Sequence, residues 1–557
     1  MTTRTATERF RAARDTLLTH RTDLQAARAA FAWPELVRFN WALDWFDVIA
    51  RDNHRAALHL IGDDGDTLLS YAELSRRSDQ VALWLREIGV RRGDRVLLAL
   101  HNVLPLWETI LAAIKLGAII VPTYPTAPPA DLADRIHRAG ISHVLTESGL
   151  TERFAGIPGG WTRICTGPPV VGWTSYEDSY GAPEGPFVPG APTGADDPLF
   201  CYFTSGTTSK PKMVVHTHVS YPVGHLSSMY WNGVQPGDVH LNISAPGWAK
   251  HSWGSLFVPW NAEATLLVLS SPEAGPSAIL DALRTRGVTT FCAPPTHWRG
   301  MVAEGLGDRP PALREATSAG EPLESALMEQ VESSWGVVLR DGYGQTETTC
   351  QIGNPPGHRP HPGSMGRPMP GYEVIVAQSN SGTPAPPGVP GELCLDLANR
   401  PAGMLSGYLG DGAKTAAVFA GGRYHTGDLV TQDETGALHY AGRSDDMFKS
   451  FDHRIAPLEL EAVLLRQPAV KQAAVVPVPD PIGMWIPKAF VTLAPGGEAT
   501  GATAQQLLTQ AGHDLPEEKS IRVIEFTEEL PMTASGKIQR SALRAAGTLG
   551  GEEFRPA

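Results

Sequence analysis

Strand-like and helix-like segments alternate along the first part of this chain, and this alternation limits the folds it can adopt more than any other feature. Short apolar runs typical of buried strands occur at residues 57–61, 95–100 and 118–122. Between them, residues from Tyr71 onward and residues 104–116 carry apolar side chains at helical spacing. Strands that alternate with helices in this way form mainly parallel sheets flanked by helices, so we expect an α/β fold.

The pattern changes toward the C-terminus. Strand–helix alternation resumes after residue 212, and from about residue 370 to 443 short strand-like runs and Pro/Gly-rich turns predict a β-rich subdomain. After residue 443, one helix-like and one strand-like segment predict a small α+β domain. We therefore expect a large N-terminal domain over residues 1–443 and a small C-terminal domain over residues 444–557.

The first 50 residues are expected to be helical and to pack on the surface of the body through Trp33, Trp41 and Trp45. This start lacks the apolar core of a secretory signal. The most apolar region, residues 96–122, is interrupted by polar side chains, so no membrane span is expected. These features predict a soluble, cytoplasmic protein.

Charge and cysteine content exclude some classes of protein. The 557 residues include 46 Lys+Arg and 59 Asp+Glu, a net charge of -13, which argues against a nucleic-acid binder that neutralises phosphates over a broad face. The five cysteines are widely spaced. This spacing fits a reducing compartment and predicts neither a disulfide framework nor a zinc cluster.

Residues 204–212 (Thr-Ser-Gly-Thr-Thr-Ser-Lys-Pro-Lys) are a run of small, mostly hydroxyl-bearing residues directly after a strand-like segment. Small side chains let backbone N–H groups converge on an anion, and Lys210 and Lys212 add positive charge. The chain contains no G-x-x-x-x-G-K-[ST] sequence, so this is not a Walker loop. On these residues alone, a phosphate-binding loop and an ordinary surface turn both stay open.

Two later segments carry side chains suited to a nucleotide. In residues 342–347 (Gly-Tyr-Gly-Gln-Thr-Glu), Tyr343 can stack on a base, Thr346 can hold a phosphate and Glu347 can bind Mg²⁺. Residues 424–428 end in Asp428, whose carboxylate is a natural partner for the two hydroxyls of a ribose. Each segment alone is more typical of a turn, so the prediction of nucleotide binding depends on the segments occurring together.

Together, and in this order, these segments resemble the signatures of the acyl-adenylate-forming (AMP-binding) superfamily, most closely the acyl-CoA synthetases. Residues 442–446 (Gly-Arg-Ser-Asp-Asp) resemble its interdomain linker, and residues 531–538 (Pro-Met-Thr-Ala-Ser-Gly-Lys-Ile) resemble its catalytic lysine loop. The matches span nearly the whole chain. In the phosphate loop, Ser209 stands where the family most often has glycine.

The resemblance implies which residues bind ATP and CoA: Thr204, Ser205, Gly206, Thr207, Thr208, Lys212, Gly320, Glu321, Pro322, Gly342, Tyr343, Gly344, Asp428, Arg443 and Arg454. It also implies catalytic roles for Thr346, Glu347 and Lys537, with Glu347 as the ligand of Mg²⁺. Asp445 is the implied hinge of a small domain that moves between an adenylating and a thioester-forming arrangement.

Residues 246–253 lie where the family places the wall of its acid-binding pocket. The implied lining residues are Trp248, His251, Trp253 and Phe291. For each of them, aromatic core packing stays open as the alternative. A pocket rich in tryptophan favours a hydrophobic acid over an amino acid, whose ammonium group would need a buried carboxylate.

The resemblance implies an acid–thiol ligase that uses ATP to convert a hydrophobic carboxylic acid to acyl-AMP and then transfers the acyl group to coenzyme A. One alternative is an enzyme of a single half-reaction, which adenylates an acid for a carrier protein or thioesterifies an adenylate supplied by a partner enzyme. Ser209 and Asp452, both at positions where glycine is common, motivate it. A non-catalytic binding module is a third alternative, and the presence of Glu347, Asp428 and Lys537 argues against it.

Overall fold

The structure is a computed structural model. It describes residues 4–63, 65–204, 211–271, 274–378, 382–451, 453–481, 484–515, 519–533 and 537–556. Several predicted residues lie outside the described residues: Ser205, Gly206, Thr207, Thr208, Ser209, Asp452 and the side chain of Arg454.

The chain divides into two compact units. The first contains the described residues up to Glu373 and the segment Asp396–Gly422. The second contains Val374–Leu395 and the chain from Arg423 onward. The predicted boundary between residues 443 and 444 and the hinge at Asp445 stay predictions.

Nine strands form one sheet of the first unit: β1 (Ala56–Gly62), β2 (Gly65–Ser70), β10 (Val239–Asn242), β11 (Thr265–Leu269), β12 (Thr290–Ala293), β13 (Glu315–Ala319), β14 (Leu339–Tyr343), β15 (Ile352–Gly353) and β16 (Arg367–Pro368). Their order is β16-β15-β14-β13-β12-β10-β11-β1-β2. Pairing is parallel from β14 to β1 and antiparallel at both edges. The carboxyl ends of β10, β12, β13 and β14 therefore lie along one edge of this sheet.

Eight strands form the second sheet of this unit: β3 (Arg95–Ala99), β4 (Ile119–Pro122), β5 (His143–Glu147), β6 (Thr162–Thr166), β7 (Thr174–Ser175), β8 (Pro198–Thr204), β9 (Lys212–Thr217) and β19 (Gly407–Tyr408). Their order is β19-β9-β8-β4-β3-β5-β6-β7. In this order, neighbouring strands are parallel from β8 through β4, β3, β5 and β6 to β7. Strand β9 is antiparallel to both of its neighbours, β8 and β19. The ends of β8 and β9 flank the segment predicted to bind phosphate.

Helices connect these strands: α1 (Ala6–Thr19), α2 (Leu24–Ala30), α3 (Asp47–Ala50), α4 (Tyr71–Glu87), α5 (Leu104–Leu116), α6 (Pro129–Ala139), α7 (Leu226–Asn232), α8 (Ala249–Ser252), α9 (Val258–Asn261), α10 (Pro276–Thr285), α11 (Pro295–Glu304), α12 (Ser325–Trp335) and α13 (Gly412–Val418). Local sequence explains their ends. Ser70 and Glu73 form a reciprocal capping box that starts α4. Gly117, with a φ of 73°, ends α5 in the left-handed conformation that glycine adopts without strain.

The second unit contains an antiparallel sheet in the order β17-β18-β20-β21, formed by β17 (Val374–Ala377), β18 (Gly391–Asp396), β20 (Arg423–Gln432) and β21 (Leu438–Arg443). A hairpin of β22 (Phe448–Ser450) and β23 (His453–Ile455) follows. The last sheet has the strands β24 (Val470–Asp480), β25 (Met484–Leu493), β26 (Val523–Phe526) and β27 (Glu553–Phe554). Three helices accompany it: α14 (Pro457–Leu465), α15 (Gly501–Asp514) and α16 (Arg540–Ala546).

The predicted fold class is confirmed, because the structure has mainly parallel sheets flanked by helices, a β-rich sheet and an α+β C-terminal part. The apolar runs at residues 57–61, 95–100 and 118–122 correspond to β1, β3 and β4, and the predicted helix at residues 104–116 is α5. Within the described ranges, no helix combines the length and apolar character needed to cross a membrane.

Two of the three tryptophans expected to attach residues 1–50 to the body reach its core. Trp41 and Trp45 are fully buried. The indole N–H of Trp41 donates to Asn261 Oδ1 at 2.8 Å, and that of Trp45 donates to the backbone oxygen of Trp260 at 3.0 Å. The two indoles are part of the core because α9 supplies a polar acceptor for each buried N–H group.

We expect the substitution Trp45→Ala to lower the free energy of unfolding by about 3–5 kcal/mol, since it leaves a cavity where a fully buried ring stood. Urea unfolding followed by circular dichroism measures the change. Trp485→Ala is the matched control, because the side chain of Trp485 is 37% exposed and its loss should change stability by less than about 1 kcal/mol. Equal effects of the two substitutions would contradict the assignment of Trp45 to the core.

Candidate active site

The Gly-Tyr-Gly motif lies at the carboxyl end of β14, on the sheet edge where open parallel sheets bind ligands. Its glycines are required by close packing. A Cβ atom at Gly342 would lie 2.2 Å from Cε2 of Trp231, and one at Gly344 would lie 2.3 Å from the backbone oxygen of Thr349. Tyr343 stands between them and is half-buried, so the motif presents an aromatic ring at this edge.

His216 of β9 fixes the following part of the motif. Its buried ring contacts the backbone oxygen of Thr346 through Nε2 at 2.7 Å and Ser220 Oγ through Nδ1 at 3.0 Å. Burial lowers the pKa of His216 to about 4, so the ring is neutral near pH 7 and Nε2–H donates to the carbonyl. Because β9 follows the predicted phosphate loop, this bond ties the loop's exit strand to Thr346.

Glu347 is 8% exposed and lies in a polar cluster with Lys212 and Tyr408. Its Oε1 accepts a hydrogen bond from the Tyr408 hydroxyl at 3.0 Å and lies 3.8 Å from the Lys212 ammonium. Thr204 of β8 pairs with Lys212 of β9. The structure therefore brings together residues of two predicted segments, namely Thr204 and Lys212 of the phosphate-binding run and Glu347 of residues 342–347.

The donor set of this cluster fits Mg²⁺. Mg²⁺ in nucleotide sites binds one or two carboxylates and completes its coordination with phosphate and water oxygens. Glu347 supplies one such carboxylate, and its neighbour Lys212 can balance the charge of a phosphate. Tyr408, which holds the Glu347 carboxylate, was not predicted from the sequence.

The residues Gly320, Glu321 and Pro322, which the resemblance implies in nucleotide binding, directly follow β13. Glu321 contacts α11, where Arg299 Nη2 lies 3.2 Å from its Oε2 and the Thr296 hydroxyl donates to its Oε1 at 3.4 Å. Gly320 has a φ of 112° and opens the turn. Pro322 is exposed. The charge of Glu321 is thus matched by Arg299, and the carboxylate anchors the turn.

Three of the four predicted acid-pocket residues lie on one segment after β10. Trp248 stacks on Tyr124 with ring centres 5.1 Å apart. His251 is buried, its Nε2 lies 3.0 Å from Asn102 Oδ1, and burial lowers its pKa to about 3. Trp253 lies 6.3 Å from Trp231, the ring that packs against Gly342. This segment therefore borders the Gly-Tyr-Gly motif.

Phe291, the fourth predicted pocket residue, is 1% exposed and belongs to the core around β12. Its ring centre lies 5.0 Å from that of Trp298, which is also buried. Core packing accounts for Phe291 without a role in the pocket. Its predicted contact with a substrate has no support in these distances.

In the second unit, Asp428, Arg443 and Asp445 form one charged cluster. Asp428 is 4% exposed, and its Oδ1 accepts from Tyr440 Oη and Arg443 Nη1, each at 3.1 Å. Arg443 also donates through Nε to Asp445 Oδ1 at 3.1 Å. Burial opposes the charge on Arg443, but Asp428 and Asp445 raise its pKa above the usual value. Three residues predicted from two motifs are therefore neighbours.

Glu392 of β18 was missed by sequence reasoning and fixes the backbone beside Asp428. Its Oε1 accepts from the Gly427 N–H at 3.1 Å, and its Oε2 lies 2.9 Å from His425 Nδ1. The Gly-Glu pair at the start of β18 gives no local signal of this role, since residue 392 lies 35 positions before residue 427.

Lys537 is exposed at the end of the predicted catalytic loop. Its N–H donates to Thr533 Oγ1 at 3.0 Å, and its carbonyl accepts from the Thr533 N–H at 2.7 Å. Among the described residues, no carboxylate forms an ion pair with its side chain. The backbone is therefore fixed while the ammonium group stays accessible to an anion.

The chain has a nucleotide-type motif at the carboxyl edge of a parallel sheet and a separate C-terminal α+β part. These two features define the class of protein, and the chain belongs to the AMP-binding enzyme family. The family model for the AMP-binding enzyme matches residues 46–409, and the model for the AMP-binding enzyme C-terminal domain matches residues 459–537. The predicted family is confirmed.

Individual relatives agree with this assignment. A 4-hydroxybutyrate–CoA ligase of Metallosphaera sedula is 37% identical over 92% of this chain and 91% of its own length. The mitochondrial acyl-coenzyme A synthetase ACSM3 of Mus musculus is 32% identical over 87% and 85%. The crystal structure of the anthranilate CoA ligase AuaEII with anthranoyl-AMP has a TM-score of 0.81 and 28% identity, covering 92% of this chain and 97% of that one.

Proposed function

We propose that this chain is an AMP-forming acid:CoA ligase that uses ATP to activate a carboxylic acid with a largely hydrophobic body. The observation that carries the proposal is the contact between Lys212, Glu347 and Tyr408 beside the Gly-Tyr-Gly motif. It unites a cation for phosphates with a carboxylate suited to Mg²⁺. Family membership and the names of the relatives support the same activity.

In the first half-reaction, an oxygen of the acid attacks the α-phosphorus of ATP, an O–P bond forms, and pyrophosphate leaves with the electrons of the broken P–O bond. Tyr343 stacks on adenine, Thr346 holds the α-phosphate, and Lys212 neutralises the β- and γ-phosphates together with residues 204–208. When bound to Glu347, Mg²⁺ would supply charge neutralisation for the triphosphate. The attacking carboxylate is already an anion, so no general base is needed.

Asp428 is proposed to bind the ribose hydroxyls. Arg443 Nη1 donates to this carboxylate at 3.1 Å, and Glu392 fixes the adjoining Gly427. Lys537 supplies positive charge to the oxygens of the pentavalent phosphorus. We propose that Lys537 acts in adenylation and that Asp445 is the hinge between the two half-reactions.

In the second half-reaction, the thiolate of coenzyme A attacks the acyl carbon, a C–S bond forms, and AMP leaves with the electrons of the broken C–O bond. Arg454 is proposed to bind an anionic group of coenzyme A. Asp452 stands nearby in the sequence and would repel an anionic acceptor. This residue is the reason to keep a half-reaction enzyme, including one that serves a carrier protein, as the second candidate.

One experiment decides between the two candidates. The purified protein receives ATP, Mg²⁺, coenzyme A and a panel of aliphatic and aromatic acids, and in parallel synthetic acyl-adenylates with coenzyme A, and mass spectrometry detects the products. We expect acyl-CoA, AMP and pyrophosphate from ATP and at least one acid. Thioester from the supplied adenylate but never from ATP would overturn the full-ligase proposal, and adenylate without thioester would favour a different thiol acceptor.

A further inference from the structure

The acid-pocket segment contains a half-buried lysine whose ammonium group has only neutral partners among the described residues. Lys250 Nζ donates to Asn242 Oδ1 at 3.1 Å, to the backbone oxygen of Ile243 at 3.3 Å and to Cys292 Sγ at 3.4 Å. The ring of Trp253 lies 5.7 Å away. Across the described ranges, no Asp or Glu forms an ion pair with this ammonium. Lys250 is therefore a cation with no anionic partner in the part of the chain that the structure describes.

The energetics of burial make this arrangement unusual for a purely structural residue. Even partial removal of an ammonium group from water costs free energy unless a close anion compensates. Hydrogen bonds between charged N–H donors and strong oxygen acceptors are typically about 2.7–2.9 Å long, and both oxygen contacts of Lys250 are longer. Burial lowers the pKa of Lys250, and burial, together with the charge of Lys250, lowers the pKa of His297. A stronger hydrogen-bond acceptor beside Lys250 Nζ would replace these weak acceptors.

The ammonium lies on the ligand-binding edge of the sheet. Asn242 is the last residue of β10, Cys292 lies one residue before the end of the neighbouring strand β12, and the two pair directly with each other. Tyr343 ends β14 on the same edge, two strand positions from β12. Strands are about 4.8 Å apart, so Lys250 lies roughly 10 Å along this edge from the Gly-Tyr-Gly motif. That separation suits the two ends of one small substrate.

Accessibility gives a second, independent indication. Trp248, Lys250 and Trp253 keep partial exposure, whereas His251 and Ser252 between them are buried. One side of the segment thus faces an open space and the other faces the core. The open side combines two indole rings with one cation.

We propose that Lys250 is a specificity-determining residue that binds an oxygen acceptor, a hydroxyl or carboxylate, at the far end of the acid substrate. The inference rests on the proposed function and names its substrate class, namely acids with an apolar body and a distal oxygen. Trp248 and Trp253 contact the body, and Lys250 Nζ donates to the oxygen. No bond is made or broken at this end of the molecule.

The test compares isosteric acids that differ only at the far end. Each ω-hydroxy acid from 5-hydroxypentanoate to 7-hydroxyheptanoate is paired with the alkanoate one carbon longer, and 4-hydroxybenzoate is paired with 4-methylbenzoate. Pentanedioate and hexanedioate distinguish a carboxylate from a hydroxyl. We expect kcat/KM of the wild-type enzyme to favour the oxygen-bearing member of at least one pair by roughly 10- to 100-fold, as for a hydrogen bond to a charged group.

Lys250→Met keeps the length of the side chain and removes the charge. In this variant, the ratio of kcat/KM for the oxygen-bearing acid to kcat/KM for its methyl-ended partner should fall to about 1 or below. Turnover of the methyl-ended acid should change little. Lys471→Met, at an exposed lysine, is the matched control and should leave the ratio unchanged. Equal loss for both members of a pair would show a structural role and overturn the inference.

The wild-type enzyme alone also decides the question if Lys250→Met does not fold, because preference for the methyl-ended acid in every pair overturns the inference. Failure of the inference is distinct from failure of the proposed function. An enzyme that activates acids without regard to the distal oxygen refutes only the role of Lys250, whereas absence of turnover with every acid refutes the ligase itself.

Discussion

Replacing Lys537 by alanine is expected to lower the rate of acyl-AMP formation by roughly 10²–10³-fold, the usual cost of removing one donor that stabilises a developing oxyanion. Conversion of a supplied acyl-adenylate to acyl-CoA should stay within about threefold of wild type, since the pentavalent phosphorus that Lys537 stabilises occurs only in the first half-reaction. Pyrophosphate release measures the first rate, and thioester formation from synthetic adenylate measures the second.

The structure favours this separation because Lys537 is exposed and stabilises nothing by its side chain among the described residues. Its loop is closed by backbone contacts with Thr533, which alanine preserves. Lys471→Ala, an exposed lysine elsewhere in the same unit, is the control and should leave both rates unchanged. Equal loss of both half-reactions in Lys537→Ala would contradict the assignment to adenylation.

Local sequence patterns were sufficient to predict a structural element where the residues that determine it lie close together in the chain. The run at residues 104–116 became α5 because its side chains are apolar almost throughout and Gly117 ends the helix. The glycines at positions 342 and 344 signalled a special backbone, although the cause, contact with Trp231 and Thr349, was visible only in the structure.

Contacts between distant residues could not be predicted in the same way. Tyr408 lies 61 positions from Glu347, and His216 lies 130 positions from Thr346. Neither has a motif of its own, because a single hydrogen bond imposes no pattern on the neighbouring sequence. The depth at which Trp41 and Trp45 lie in the core also depends on a contact with a distant segment. A short amphipathic start and a core segment look alike until the packing partner, here α9, is known.

Glu347→Gln is the second substitution with a large expected effect. The amide retains an oxygen that can accept from Tyr408 but loses the negative charge, so we expect adenylation to fall by roughly 10²–10³-fold and to require a higher Mg²⁺ concentration. Thioester formation from a supplied adenylate should change much less, because no triphosphate is bound in that step. Initial rates across a Mg²⁺ titration measure the effect.

Tyr408→Phe is the matched control for this substitution, since it removes the hydrogen bond and leaves the charge of Glu347 intact. Loss of a partner that orients a metal-binding carboxylate typically costs about 10- to 100-fold, so adenylation by Tyr408→Phe should fall between wild type and Glu347→Gln. If Glu347→Gln has wild-type adenylation at every Mg²⁺ concentration, Glu347 is not the metal ligand. If Tyr408→Phe is as impaired as Glu347→Gln in both half-reactions, the cluster stabilises the fold, and the charge of Glu347 has no separate role in binding the triphosphate.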